Sequence, residues 1–469
     1  MKRDRTAAPV LRFFGATGTV TGSRFLLDTP RARVLIDCGL FQGLKPLRLR
    51  NWSSFPVDPA SIDAVALTHA HLDHSGYLPA LVRHGFRGPI YATEHTHALA
   101  GIVLPDSAHI QEEDAGYANR RGTSKHVPAL PLYTIADAER ALDQFRVAAF
   151  FQAREVAPGV HATFLPAGHI LGSAMIRLAI DGPQPRTLLV SGDLGRPQHP
   201  ILIPPADPPA ADVVLVESTY GDRRHEDAEA LARFEETIVR TAARGGTIVI
   251  PSFAVDRTEV VLLYLRRLVG EGRVPNLPVY VDSPMALAAL DVYRQAIAEG
   301  GIEIRPDFAG NGDPFDPGNL IEARTVEESM AINEAQGASI IVSASGMASG
   351  GRVLHHLMRC LPDERNAVLL VGFQAEGTRG RALADGAREI KMHGRYVGVR
   401  AEVASVPAFS VHADRDEIVA WLRRAPRTPE TVFIVHGEES AAQALHDTIE
   451  RELRWVAAVP RYGELVRLD

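Results

Sequence analysis

The sequence predicts an α/β protein in which one domain is interrupted by a second, inserted α/β domain. Three observations carry that prediction. Short apolar runs recur and end in a small residue followed by His or Asp, as at residues 62–69 and 187–193. From about residue 220, helix-like and strand-like segments alternate, which argues for a parallel sheet covered by helices. After about residue 395 the strand-then-histidine pattern returns, at His412 and at His436. Residues 1–219 and 396–469 are therefore expected to share one domain, with 220–395 as the insert.

Taken in order, residues 11–15 start a strand. Gly15, Gly18 and Gly22 punctuate a tight hairpin before the strand 23–28. Residues 33–36 form another strand, which ends in Asp37-Cys38-Gly39. Asp37 reads either as an Asx turn before Gly39 or as an acceptor that orients a metal-ligating histidine. Residues 89–93 are a strand, followed by a helix from about Glu94. His95 and His97 at that helix start read as surface or packing residues. Residues 104–151 look helical and loopy, and 148–156 return to a strand. His169 sits in a glycine-flanked turn after the strand 160–165, and Asp193 lies between glycines after the strand 187–190.

The run 212–216 ends in Glu217. Beyond it, helical segments at 228–244, 257–269 and 285–299 alternate with strands at 247–250, 279–282, 339–343 and 368–372. Residues 307–319, rich in Gly, Pro and Asp, form a long loop. Two glycine-rich turns, 343–352 and 372–381, follow apolar strands. Such turns either present backbone N–H groups to anions or simply pack a helix on a sheet. Residues 352–400 hold nine Lys or Arg against five Asp or Glu, so this part is locally basic. The strand 431–435 leads to His436-Gly437-Glu438. A helix over 440–456 and a strand near 462–468 follow.

The densest chemistry is Thr68-His69-Ala70-His71-Leu72-Asp73-His74. It stands between an apolar strand and a turn into a helix, where sites of α/β sheets lie. His69 and His71 alternate in extended chain, so both reach one metal. Asp73 and His74 follow the turn and can hold a second. Neutral imidazole and carboxylate are usual zinc ligands.

The bulk numbers fit such a protein. The 469 residues are 46% hydrophobic and 23% charged, an ordinary globular composition. Cys38 and Cys360 are too few for a disulfide framework or a cysteine-rich zinc site, so a reducing cytoplasm is expected. Residues 1–14 lack the apolar core of a secretory signal, and no stretch is apolar for long enough to span a bilayer. A net charge of -7 argues against binding nucleic acid over the whole surface, but not through a local basic groove.

Together these residues resemble the metallo-β-lactamase superfamily. More narrowly they resemble the beta-CASP nucleases, the group that includes RNase J and the endonuclease subunit of the mRNA 3′-end cleavage factor. The resemblance covers nearly the whole chain. The family's first motif matches Asp37, and its second matches His69, His71, Asp73 and His74. The third matches His169 and the fourth Asp193. The three beta-CASP motifs match Glu217, His412 in Phe-Ser-Val-His-Ala-Asp and His436 in Val-His-Gly-Glu. Residues 345–352 and 251–257 match further landmarks, with Asp256 departing from the small residue of the pattern.

The resemblance implies two β-sheets sandwiched between helices, a beta-CASP insert roofing the cleft, and a first domain finished by the C-terminal segment. It implies one zinc held by His69, His71, His169 and Asp193. It implies a second held by Asp73, His74, His436 and the bridging Asp193, with a hydroxide shared between the two.

The expected activity is zinc-dependent hydrolysis of single-stranded RNA, endonucleolytic or 5′–3′ exonucleolytic, leaving 5′-phosphate and 3′-hydroxyl ends. His412 is the expected general acid and Glu217 its orienting partner. Asp73 and Asp37 complete the catalytic group. Ser252, Arg257, Ser345, Gly346, Met347 and Arg352 are expected substrate contacts. A DNA nuclease, a lactonase- or thioesterase-like metallohydrolase, and an inactive RNA scaffold are the competing readings. No membrane partner is expected, and a homodimer would fit the resembled bacterial proteins.

Overall fold

A computed structural model describes residues 8–308, 312–406 and 409–469. Residues 309–311 of the expected loop, and Pro407 and Ala408 before His412, lie outside the described residues. Contacts divide the chain into two units, residues 1–224 with 412–469, and residues 225–411.

The first unit is built on two seven-stranded sheets. The first sheet holds β1 (Val10–Phe13), β2 (Phe25–Asp28), β3 (Arg33–Ile36), β4 (Ala64–Ala66), β5 (Ile90–Ala92) and β6 (Phe145–Val147) in that order. The second holds β7 (Ala153–Ala157), β8 (Val160–Pro166), β9 (Ala174–Ile180), β10 (Arg186–Val190) and β11 (Val213–Glu217), paired in sequence. Composition tracks pairing. β8 and β9 pair antiparallel and alternate buried with half-buried residues over much of their length, whereas β11, Val-Val-Leu-Val-Glu between two parallel neighbours, is buried throughout.

One face of each sheet meets in a common core that includes Phe13, Phe25, Val34 and Ile36 from the first and Phe164, Ile176, Leu188 and Val190 from the second. Each such fully buried side chain contributes about 1.5–3 kcal/mol. The outer face of the second sheet, with Leu189, Val214 and Val216, packs against Ile418, Trp421, Leu445 and Ile449 of two C-terminal helices, Arg415–Leu422 and Glu439–Leu453. The opposite face of the first sheet, including Leu35, Val65 and Ile90, is buried as well. The crossover helices Leu78–Arg83 and Glu94–Arg121 both pack on Ile135–Leu142, and Glu94–Arg121 also meets β6. This is the expected sandwich of two sheets between helices.

The second unit has a six-stranded, all-parallel sheet and a separate hairpin. Its strands are β12 (Thr247–Pro251), β13 (Val279–Val281), β14 (Leu320–Glu322), β15 (Ser339–Ser343), β16 (Ala367–Val371) and β19 (Glu402–Val406), in the order β14-β13-β15-β12-β16-β19. The hairpin is β17 (Glu389–Met392) with β18 (Arg395–Gly398). β19 pairs with β16, so the second unit extends past the expected seam at 395/396.

The C-terminal segment then returns to the first unit. β20 (Thr431–Val435) pairs with β11, β21 (Ala457–Ala458) with β20, and β22 (Leu465–Arg467) with β1. It therefore completes both sheets. Among the described residues no helix is long and apolar enough to cross a membrane.

Candidate metal centre

The site forms beyond the carboxyl ends of β3, β4, β10, β11 and β20. After β4 the chain runs through His69 and turns at His71 into the four-residue helix Leu72–Ser75. The carbonyls of this turn are held from outside. Asp73 O accepts from Ser23 N at 2.8 Å, Leu72 O from Leu40 N at 2.8 Å, and His74 O from Cys38 N at 2.7 Å. That approach requires glycine at position 39, because a Cβ there would lie 1.5 Å from Asp73 O. Gly195 is required in the same way, since its Cβ would lie 1.7 Å from Gly168 O, where the loops carrying His169 and Asp193 cross.

The structure brings all seven expected ligands together. Atoms of His69, His71, His169 and Asp193 lie within 4.8 Å of one another, and so do those of Asp73, His74 and His436. His71 Nδ1 stands 3.1 Å from His69 Nε2 and 3.2 Å from His169 Nε2. His74 Nε2 stands 3.1 Å from His436 Nε2. Asp193 reaches both groups. Its Oδ2 is 3.5 Å from both His69 Nε2 and His169 Nε2, and its Oδ1 is 3.2 Å from His74 Nε2 and 3.4 Å from His436 Nδ1. Asp73 Oδ2 is 3.5 Å from His436 Nε2.

These atoms fit metal ions. Ring nitrogens turned towards one another across such distances hold their lone pairs in the same space, and a shared cation satisfies them. The edge of a zinc tetrahedron with bonds of ~2.0–2.1 Å is about 3.3–3.4 Å, close to the spacings seen.

A layer of partners sets the tautomers. Asp37, buried with φ 57°, accepts from Thr68 N at 2.8 Å, from the Thr68 hydroxyl at 2.9 Å and from His74 Nδ1 at 2.7 Å. His74 Nε2 is thereby left facing the cluster. The Thr68 oxygen, which donates to Asp37, accepts from His69 Nδ1 at 3.1 Å and leaves that Nε2 facing inward too. Thr219 Oγ1 lies 3.2 Å from His436 Nδ1. The role of Thr219 went unread in the sequence, because its partner lies far along the chain.

Electrostatics follow from burial and charge. Burial, with neighbouring imidazoles, holds His69 well below the usual imidazole range and brings His71 to about 4. Burial acts on His74 in the same sense, but Asp193 and Asp37 outweigh it and draw that ring well above its usual value. Asp193 sits far below the carboxylate range, because His436, His74 and His69 together outweigh its burial.

Glu217 and His412 form the next group. Glu217 is fully buried; its Oε1 accepts from Leu194 N at 2.7 Å and from His412 Nδ1 at 3.1 Å. The His412 ring lies 4.4 Å from that of His169. His97, by contrast, stacks on Phe145 with centroids 5.0 Å apart.

The expected substrate contacts gather in the second unit, around the carboxyl ends of β12 and β15. Ser252 is buried and its hydroxyl donates to Phe253 O. Arg257 begins the helix Arg257–Gly270 and is buried. Gly346 O accepts from Gln374 Nε2 at 3.2 Å, and Met347 O from Gly380 N at 3.0 Å. Ser345 Oγ accepts from Ser349 N. Arg352 is held by Asp282 at 2.7 Å and by the carbonyls of Ala323 and Arg324.

Two sheets between helices, with histidines and aspartates converging beyond the strand ends, define a metal-dependent hydrolase. Residues 18–232 match the metallo-beta-lactamase superfamily, 258–383 the Beta-Casp domain, and 396–460 the Zn-dependent metallo-hydrolase RNA specificity domain. A ribonuclease of Thermus thermophilus is 39% identical over 452 residues, covering 96% of this chain and 98% of the relative. An RNase J-like protein of Methanocaldococcus jannaschii is 30% identical, covering 97% and 99%. The transcription termination factor FttA of the same organism is 31% identical, covering 97% of this chain and 71% of its own length. A crystal structure of an Enterococcus faecalis protein of unknown function shares the fold, with TM-score 0.51, 13% identity, and coverage of 98% and 100%. The chain belongs to the metallo-beta-lactamase superfamily, in the branch that carries the Beta-Casp and RNA specificity domains.

Proposed function

We propose that this protein is a zinc-dependent ribonuclease that hydrolyses phosphodiester bonds of single-stranded RNA, leaving 5′-phosphate and 3′-hydroxyl ends. The observation that carries this reading is the sharing of Asp193 between two groups of imidazoles. His69, His71, His169 and Asp193 would hold one zinc, and Asp73, His74, His436 and Asp193 the other. When bound, such a pair supplies an activated water near neutral pH and offsets the charge of the phosphate. The ribonuclease and RNase J-like relatives, matched over nearly their whole lengths, support RNA as the substrate.

The chain's own residues do the rest. Asp37 and Thr68 fix the His74 and His69 rings with their Nε2 atoms inward. Glu217 accepts a hydrogen bond from the Nδ1–H of His412, so the imidazole is held by one nitrogen and can give a proton from the other. That proton goes to the leaving 3′ oxygen. Ser252, Arg257, Ser345, Gly346 and Met347 are proposed to steady the substrate.

The test pairs metal analysis with product mapping on 5′-labelled single-stranded RNA. Wild-type protein should carry about two zinc ions and lose cleavage to a chelator. His412→Ala should keep its zinc while cleavage falls about 10²–10⁴-fold. Loss of zinc from that variant would make His412 a ligand and remove it as the proton donor.

A further inference from the structure

The two sheets of the first unit end in edge strands, β6 and β7. Where these edges meet, Arg87, Gly88, Pro89, Tyr91, Gln144, Arg146 and Arg154 line a cavity of about 380 Å³. Arg87 precedes β5 and Gln144 precedes β6, whereas the metal cluster follows the carboxyl ends of parallel β3 and β4. The cavity therefore sits towards the other end of these strands.

Its chemistry is one-sided. All three arginines are exposed, and among the described residues none pairs with a carboxylate. They donate to backbone carbonyls: Val82 and Phe86 for Arg87, Asp143 and Phe145 for Arg146, Val147 for Arg154. Among the described residues, more than half of the other arginines pair with a carboxylate, as Arg140, Arg294 and Arg352 do. Tyr91 is the register partner of Arg146, and the Arg154 guanidinium lies 5.7 Å from its ring centroid. Gln144 Oε1 is buried without a donor among the described residues. Cationic forks, an aromatic face and a spare acceptor complement a sugar–phosphate chain.

The geometry points to this pocket as a second RNA-binding site, which holds the phosphates of a strand outside the metal centre. It rests on the ribonuclease reading above. It predicts that long RNA gains affinity from the pocket and that short RNA does not. The rival role for these arginines is protection of the two sheet edges from pairing with another chain.

The experiment compares the full-length, zinc-loaded protein with R87Q/R146Q/R154Q and with the corresponding triple lysine variant. Binding of an RNA of about 40 nucleotides is measured in a His412→Ala background, and cleavage of one of about 6 nucleotides in the active protein. Removing three phosphate contacts should weaken the long RNA at least about tenfold and reduce the slope of log Kd against log salt by about 2. The lysine variant should keep that slope, and cleavage of the short RNA should be unchanged in both. Unchanged affinity and slope for the long RNA would overturn the pocket while normal short-RNA cleavage left the ribonuclease reading standing. Self-association of the glutamine variant with unaltered RNA binding would assign the arginines to edge protection instead. A wild-type protein that neither binds nor cuts RNA would overturn both readings.

Discussion

At the scale of single residues, the groups behind the cluster matter as much as those within it. Asp37 is not one of the seven proposed ligands; it accepts three hydrogen bonds at 2.7–2.9 Å, one of which fixes the His74 tautomer. Asparagine there has the same shape but one acceptor oxygen in place of two. With its oxygen at the Oδ2 place, its amide N–H would meet the Thr68 N–H that Oδ1 now accepts; turned the other way, an amide N–H facing His74 would force the ring's proton to the ligating side. Asp37→Asn should fold and yet bind zinc about 10–100-fold more weakly, measured by competition with a chromogenic chelator. An unchanged affinity would show that His74 is oriented by its ring packing alone. Much of the cluster was legible because its side chains follow apolar strands at recognisable spacings. The choice between an Asx turn and an orienting acceptor at Asp37 was not, because a carboxylate's partners are chosen by which loops approach it. Arg352 illustrates the same limit. After a glycine-rich turn it reads as an anion contact, but Asp282, 70 residues earlier, reaches the same place.

At the scale of elements, the helix Leu72–Ser75 is too short to hold itself. Its carbonyls are held by Ser23, Cys38 and Leu40, and that arrangement depends on the close approach of Gly39. Gly39→Ala must push the loop or the turn aside, which moves Asp73 and His74 together. Zinc analysis should therefore find the group of Asp73, His74 and His436 depleted first, with about one ion retained. Gly101→Ala is the matched control. It lies exposed within the helix Glu94–Arg121 with nothing within 4 Å of its added Cβ, so it should leave zinc content alone and add about 0.4–1 kcal/mol of stability. If both variants kept two ions, the turn would be held by its ligands and not by the loop. The element pattern was largely readable, since continuous apolar runs became parallel strands. The seam was harder: β19 is half-buried over four of its five residues and sits at the sheet edge, so Glu-Val-Ala-Ser-Val carries little periodic signal.

At the scale of the molecule, the proposed metal ligands come from distant parts of the first unit, which a bound metal would tie together. His69 to His74 come from the first sheet, His169 and Asp193 from the second, and His436 from the segment that completes both. Metal binding should thus stabilise this unit against unfolding, by about 2.7 kcal/mol for each site at a hundredfold excess of free ion over its Kd. The chain offers a selective reporter. Its three tryptophans, Trp52, Trp421 and Trp455, all belong to the first unit, and Trp421 is buried with its indole donating to Ala206 O. The second unit has a core of its own, with Val249, Leu354, Leu357, Val368 and Leu370. Chelation should therefore lower the midpoint of unfolding followed by tryptophan fluorescence. Far-ultraviolet circular dichroism, which sees both units, should split into a shifted and an unshifted component. Restoring zinc should bring the tryptophan midpoint back, and His436→Ala should blunt the response. Equal shifts by both probes would mean that the units unfold as one. No shift by either would mean that the cluster is already held rigid by its hydrogen bonds, and that the metal adds chemistry without adding stability.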